Sequence, residues 1–216
     1  MVISLKYSHV IWDWNGTLLN DVETNLCTAN VMLAKRNLPV IESEELYRKM
    51  FRFPVIEFYR LAGFDLNEEN FAVMAEEYVK TYRENSYKSR LFDDSVKIIG
   101  TFDDAGISQV ILSATEQTRL RAEVASYGVA EHFAEILGVG DNLGSSKSAR
   151  GRAYTETLTS GRAVFIGDTA HDADVARECG CDCVLVSRGH MDRSRLKETG
   201  CPVFHSLTEA AGYILE

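Results

Sequence analysis

The chain has no excess of basic residues. Twenty-three lysines and arginines face 32 aspartates and glutamates, a formal net charge of -9. Nucleic acid and anionic membrane surfaces both demand a dense basic face, so neither is expected as a partner. Long hydrophobic runs are also missing. No segment approaches the roughly 18 apolar residues of a membrane span, and the opening MVISLKYS is too short an apolar stretch for a signal peptide. The expected location is the cytoplasm. Cysteines are five, an odd number, and do not form the dense framework of a small secreted scaffold. Cys179, Cys181 and Cys183 form a local C-x-C-x-C, but one-residue spacing is unlike that of structural zinc pairs. The simpler reading has Cys179 ending a helix, Gly180 capping it and Cys183 entering the apolar strand VLVS. There is no internal repeat and no low-complexity segment.

What is present is an ordinary globular composition, 45% hydrophobic and 25% charged, in a chain long enough for one domain with an insert. The organising stretch is His9 to Leu19, HVIWDWNGTLL. Val10, Ile11 and Trp12 suit a buried parallel strand, which stops at Asp13, with Gly16 in the following turn. Asp13 therefore stands at the carboxyl end of a central strand, where open α/β sheets hold their ligands.

Asn20 is the expected N-cap of a first helix carrying Val22, Leu26, Ala29 and Leu33 at helical spacing. Helical patterning continues over Glu44 to Met50, Val55 to Leu61 and Glu68 to Tyr82, broken at Pro54 and Gly63. From Arg90 helix and strand alternate. Helices are predicted over 93–105, 118–127, 148–159, 173–179 and 207–215, and strands over 109–112, 133–137, 163–166, 183–186 and 202–204. This alternation predicts an α/β fold with a doubly wound parallel sheet. Residues 1–19 and 88–216 would form this Rossmann-like core, and 20–87 a helical insert domain.

Three further stretches carry chemistry. Val110 to Thr115 is an apolar strand ending in Ser113, which sets a hydroxyl and the main-chain N–H of Ala114 at a strand end as hydrogen-bond donors. Lys147, in GSSKSARG, is a basic residue between strands, with Arg150 and Arg152 close by. Val164 to Asp172 reads VFIGDTAHD and places Asp168 and Asp172 one helical turn apart at a strand end. Such carboxylates suit magnesium, which takes hard oxygen ligands and keeps several waters. His171, between them, is expected to lie at the surface or behind the ligands.

Together these segments resemble the haloacid dehalogenase superfamily, mostly phosphotransferases, whose first motif is an apolar strand followed by Asp-x-Asp-Gly-Thr. Here it reads Asp13-Trp14-Asn15-Gly16-Thr17, with asparagine in place of the second aspartate. The resemblance implies a magnesium-dependent phosphatase of a small phosphorylated metabolite. Asp13 would be the nucleophile, Ser113 and Lys147 would stabilise the phosphoryl group, and Gly16, Thr17 and Ala114 would contact substrate. Asp13, the main-chain carbonyl of Asn15, Asp168 and Asp172 would hold the metal. It also implies that the helical insert is a cap closing over the site, in a monomer or homodimer.

In the family the second aspartate protonates the leaving group and then activates water. Asn15 cannot transfer that proton, and loss of a positioned acid–base group forfeits about 10²- to 10⁴-fold in rate. On that ground the chain has three readings: a phosphatase of good leaving groups, or one whose proton comes from substrate or cap; a phosphonate-cleaving or other relative with no need of the second Asp, Lys49 lying in a suitable region for a Schiff base; or a weakly catalytic phosphate-binding regulatory protein. The cap segment Arg48 to Pro54 loosely resembles that of phosphoglycolate phosphatase-like members, and Arg52 is the expected contact for a substrate carboxylate.

Overall fold

The structure is a computed structural model that describes residues 5–66, 71–140, 147–159 and 161–216. The first strand, β1 (His9–Trp12), leads through a turn to a two-residue strand, β2 (Leu19–Asn20). Helices α1 (Val22–Lys35), α2 (Glu44–Met50), α3 (Val55–Leu61) and α4 (Phe71–Asn85) follow, and β3 (Arg90–Leu91) returns the chain. The remainder alternates: α5 (Ser95–Asp104), β4 (Ser108–Glu116), α6 (Gln117–Ser126), β5 (Glu135–Val139), α7 (Ser148–Thr155), β6 (Ala163–Gly167), α8 (Ala170–Glu178), β7 (Asp182–Val186), α9 (Arg193–Lys197), β8 (Val203–Phe204) and α10 (Leu207–Leu215).

Six strands form one parallel sheet in the order β5-β4-β1-β6-β7-β8. Strand β1 is central, paired on one side with β4 and on the other with β6, and its Val10, Ile11 and Trp12 are wholly buried. A strand covered on both faces must be apolar throughout, which is why this run does not alternate. Trp12 is polar at one atom only, and its Nε1 donates to Gln109 Oε1 (3.0 Å) inside the core. Helices α1 to α4 have an apolar cluster of their own, built on Met32, Leu33, Tyr47, Phe58 and Met74. The antiparallel pair β2–β3, with Leu19 opposite Leu91 and Asn20 opposite Arg90, joins them to the sheet.

The parallel α/β sheet agrees with the sequence, and several boundaries move for physical reasons. Asn20 is not a helix cap: it belongs to β2, and α1 is preceded by Asp21, whose side chain makes no capping bond. A two-residue strand has no periodicity to read. Helix α8 begins at Ala170 rather than Ala173, because Thr169 and Asp172 form a reciprocal capping box. Strand β4 continues four residues past Leu112, with its register against β5 shifting between Leu112 and Glu116. A shift in register re-aims side chains at a strand end, as a bulge does. Helix α7 ends at Thr155 rather than 159, and the five-residue α9, started by Asp192 accepting from the Ser194 N–H (2.9 Å), has no counterpart in the sequence reading. The expected start of α4 at Glu68 lies outside the described residues.

Candidate active site

The carboxyl ends of β1, β4 and β6 converge on one buried cluster. Asp13 follows β1 directly, and its N–H donates to Ile166 O (2.9 Å), which ties it to the end of β6. The turn after it closes on the Trp14 carbonyl, which accepts from Leu18 N (3.1 Å) and Leu19 N (2.9 Å). Gly16 has φ +76°, and a Cβ there would collide with the Asp168 carboxylate and the His190 ring. Only glycine meets both demands.

Asp168 follows β6 directly and accepts from the His190 N–H (2.6 Å) and the Thr17 hydroxyl (3.2 Å). In the first turn of α8, Asp172 Oδ2 accepts from Thr169 N (2.9 Å), Thr169 Oγ1 (2.7 Å) and Asp168 N (3.2 Å). Its other oxygen receives Lys147 Nζ (2.8 Å), and the same ammonium reaches Asp13 Oδ1 (2.5 Å). Lys147 precedes α7 and is 2% exposed, so its charge has no solvent to rely on. Burial would lower its pKa, but the Asp13 and Asp172 carboxylates raise it above the usual lysine range.

One buried ammonium does not balance the carboxylates gathered here. Oxygens of Asp13, Asp168 and Asp172 lie within 4.8 Å of one another, all three side chains buried. Burial pushes the Asp13 carboxyl up, Lys147 opposes that, and the neighbouring Asp172 and Asp168 push it further up. Burial likewise raises Asp168, whereas Lys147 outweighs burial at Asp172 and holds it low. A hard-oxygen donor set with a deficit of positive charge fits a dication such as magnesium.

Asn15 is held on both sides. Its Nδ2 donates to Asp21 Oδ2 (2.8 Å), and its Oδ1 accepts from Thr115 Oγ1 (2.9 Å). Asp21 in turn accepts from Gly16 N (3.0 Å), Asn25 Nδ2 (2.7 Å), Tyr82 OH (2.9 Å) and His190 Nε2 (3.0 Å). Burial alone would lower the His190 pKa, but Asp21 above all, with Asp168 and Asp13, raises it to about 9. Its charge then holds Asp21 below the usual carboxylate range in spite of burial. The second ring nitrogen, Nδ1, pairs with Tyr47 OH (3.0 Å). A buried carboxylate thus lies behind Asn15, neutralised by a histidine rather than by a metal.

A cavity of about 200 Å³ opens over this cluster, between the sheet and helices α2 to α4. Asp13, Asn15, Ser113, Ala114, Lys147, Asp168 and Asp172 all line it. Three expected substrate contacts do not. Gly16 and the fully buried Thr17 pack behind Asp168. Arg52 turns back to the carbonyls of Lys49 (2.6 Å) and Phe51 (2.8 Å), where the exposed C-terminal carbonyls of α2 attract a cation. Lys49 pairs with Glu45 (2.6 Å) on the exposed face of α2 and is not a wall of the cavity. His171 does line the cavity, stacked on Phe53 with ring centroids 3.7 Å apart. Sequence reasoning missed the roles of Asp21, His190 and Thr115. The position of His190 in the loop after β7, at the same edge of the sheet as Asp13, was the available signal.

The sequence profile of the haloacid dehalogenase-like hydrolases matches residues 10–186. A phosphoglycolate phosphatase of Mesorhizobium japonicum is 24% identical over 192 residues, covering 85% of this chain and 84% of its own. The phosphoglycolate phosphatase of Neisseria gonorrhoeae is 26% identical over 202 residues, with 88% and 84% covered. Among solved structures, a predicted phosphatase from Clostridium acetobutylicum superimposes with a TM-score of 0.78 at 21% identity, over 98% of this chain and 99% of its own. The profile spans most of the chain and both aspartate motifs, and the chain belongs to the haloacid dehalogenase-like hydrolase family.

Proposed function

We propose that this hydrolase is a magnesium-dependent phosphatase that acts through a phosphorylated Asp13 on esters with good leaving groups. It is a hydrolase of phosphoric monoesters, like the phosphatases that it resembles along most of their length. The observation that carries the rest is the convergence of Lys147, Asp13 and Asp172 by hydrogen bonds of 2.5 and 2.8 Å at the mouth of one cavity. Asp13, the Asn15 carbonyl and Asp168 would hold the ion, with Asp172 bound directly or through water. When bound, the ion offsets the repulsion between these carboxylates and an incoming phosphate.

Asp13 has the position of an attacking group, exposed to the cavity on one side and held by Lys147 on the other. Its oxygen forms a bond to phosphorus while the ester P–O bond breaks, and the electron pair leaves on the ester oxygen. Ser113 Oγ, the Ala114 N–H and Lys147 stabilise the charge on the transferring oxygens. A water then attacks phosphorus, the bond to Asp13 breaks, and inorganic phosphate is released. The water consumed supplies the oxygen to phosphorus and a proton to the departing alcohol. Asn15 takes no proton in either step, because both ends of its amide are occupied by Thr115 and Asp21. Leaving groups that depart as stable anions are therefore favoured. The helices over the cavity, residues 20–87, act as the cap that excludes bulk water.

The test is magnesium-dependent phosphate release from p-nitrophenyl phosphate and acetyl phosphate by the wild type and Asp13→Ala. Turnover that vanishes with Asp13 supports the reading. Magnesium binding with no turnover of any phosphoester would favour a phosphate-binding regulator instead.

A further inference from the structure

We propose that the leaving-group end of the cavity is built for an aromatic phosphate ester carrying an anionic substituent, which Arg119 receives. This inference rests on the phosphatase reading and names the substrate class of the same site. The phosphoryl end of the cavity is polar, formed by Asp13, Ser113 and Lys147. The rest of its wall is chiefly aromatic, with Phe51, Phe53, Phe58, Tyr59, Tyr78 and Tyr82 among the rings. A phosphorylated two-carbon acid has almost no apolar surface to set against such a wall. A planar ring matches it in chemistry and size, since an apolar cavity of about 150 Å³ accommodates benzene. Aryl oxides also leave as stabilised anions, which suits a site whose second motif-one aspartate is Asn15.

Arg119 supplies the remaining specificity. It projects from α6 into the same cavity, and its charge reaches Tyr78 and Glu123. Its Nη1 is buried and has no hydrogen-bond partner among the described residues. Glu123, one turn further along α6, instead accepts from Trp14 Nε1 (3.0 Å), and burial pushes its carboxyl up toward the neutral form. A buried guanidinium N–H without an acceptor is costly, and a ligand carboxylate satisfies it with a charge-assisted bond. The distal group is therefore an anion rather than a second cation or a bare hydrocarbon.

The experiment compares kcat/KM for phenyl phosphate, 3- and 4-carboxyphenyl phosphate and phosphoglycolate, with magnesium, in the wild type and in Arg119→Met and Arg119→Lys. The wild type should prefer one carboxyphenyl ester to phenyl phosphate on the order of 10-fold or more, as expected for a hydrogen bond to a charged group. That ratio should fall toward one in Arg119→Met and be partly kept in Arg119→Lys. The ratio, not the absolute rate, isolates the contact from differences in leaving group. An unchanged ratio in Arg119→Met, or phosphoglycolate preferred over every aryl ester, overturns the proposal. Binding of phenylphosphonate and the two carboxyphenylphosphonates, measured by calorimetry, gives the same comparison without turnover. Tighter binding of a carboxylated analogue that depends on Arg119 supports this inference even where no ester is hydrolysed, which would sink the phosphatase reading alone. Equal binding of all three overturns the inference while hydrolysis of acetyl phosphate keeps the phosphatase reading intact.

Discussion

Replacing Asn15 by aspartate restores the family's usual motif, yet this fold has already spent the space behind it on another carboxylate. The new oxygen would stand where Nδ2 now donates to Asp21 Oδ2 at 2.8 Å. Two unit charges at that separation repel by about 6 kcal/mol at an effective dielectric constant near 20. The pair avoids most of this by sharing a proton, as close carboxylates do. The remaining cost is a lost charge-assisted hydrogen bond, about 1–3 kcal/mol. In a chain of 216 residues that lowers Tm by roughly 2–12 °C. The sign with pH follows from the raised pKa in the folded state: the unfolded chain gives up its proton first, so the deficit grows as pH rises from about 4 through neutrality. Thermal denaturation in chelator, at pH 5 and pH 8, measures this. The double variant Asn15→Asp with Asp21→Asn, which exchanges acid and amide, should recover much of the loss. An Asn15→Asp protein as stable as wild type at pH 8 would refute the reasoning. So would a deficit that shrinks as pH rises.

Lys147→Met leaves Asp13 and Asp172 without their buried cation, so the metal-free protein should lose about 3–5 kcal/mol, read by chemical denaturation. Magnesium should then raise its Tm by more than it raises that of wild type, and an equal shift would contradict the electrostatic account. His190, facing Asp21, Asp168, Asp13 and Tyr47, has a folded pKa of about 9 against an ordinary 6.5. The contribution, about 3 kcal/mol, is complete below pH 6.5 and is lost as pH rises through 9. A His190→Gln protein should show a flatter stability profile between pH 6.5 and 9, and a profile parallel to wild type would remove His190 as its source.

The parts of this site that were legible in the sequence are those that repeat as strand plus carboxylate. Asp13 and Asp168 each follow a short apolar run with a glycine near the aspartate, which suits a buried strand better than a helix, so the position of the side chain at the sheet edge follows from local pattern. Lys147 could be narrowed only to a cluster of three cations with Arg150 and Arg152, and its burial between two carboxylates is what sets it apart. By contrast, nothing in the local pattern singles out Asp21 from any acidic residue in the first turn of a helix, since its partners Asn15, Tyr82 and His190 are 6, 61 and 169 residues away. No periodicity reports contacts of that span. Arg52 shows the opposite case: a cation beside aromatics suggests a pocket, but in the structure the backbone at the end of α2 supplies its acceptors. Arg119 lies on a weakly amphipathic helix whose two buried residues are Leu120 and Val124, and only the cavity reveals that its guanidinium faces the site.

The central claim is that Asp13 accepts the phosphoryl group. Acid quench of the enzyme during turnover of acetyl phosphate with magnesium, followed by peptide mass analysis, reads it directly. The account predicts one phosphoryl adduct on the peptide carrying Asp13, lost in Asp13→Asn and in chelator. Steady turnover with no adduct at any quench time, or an adduct that persists in Asp13→Asn, would contradict it.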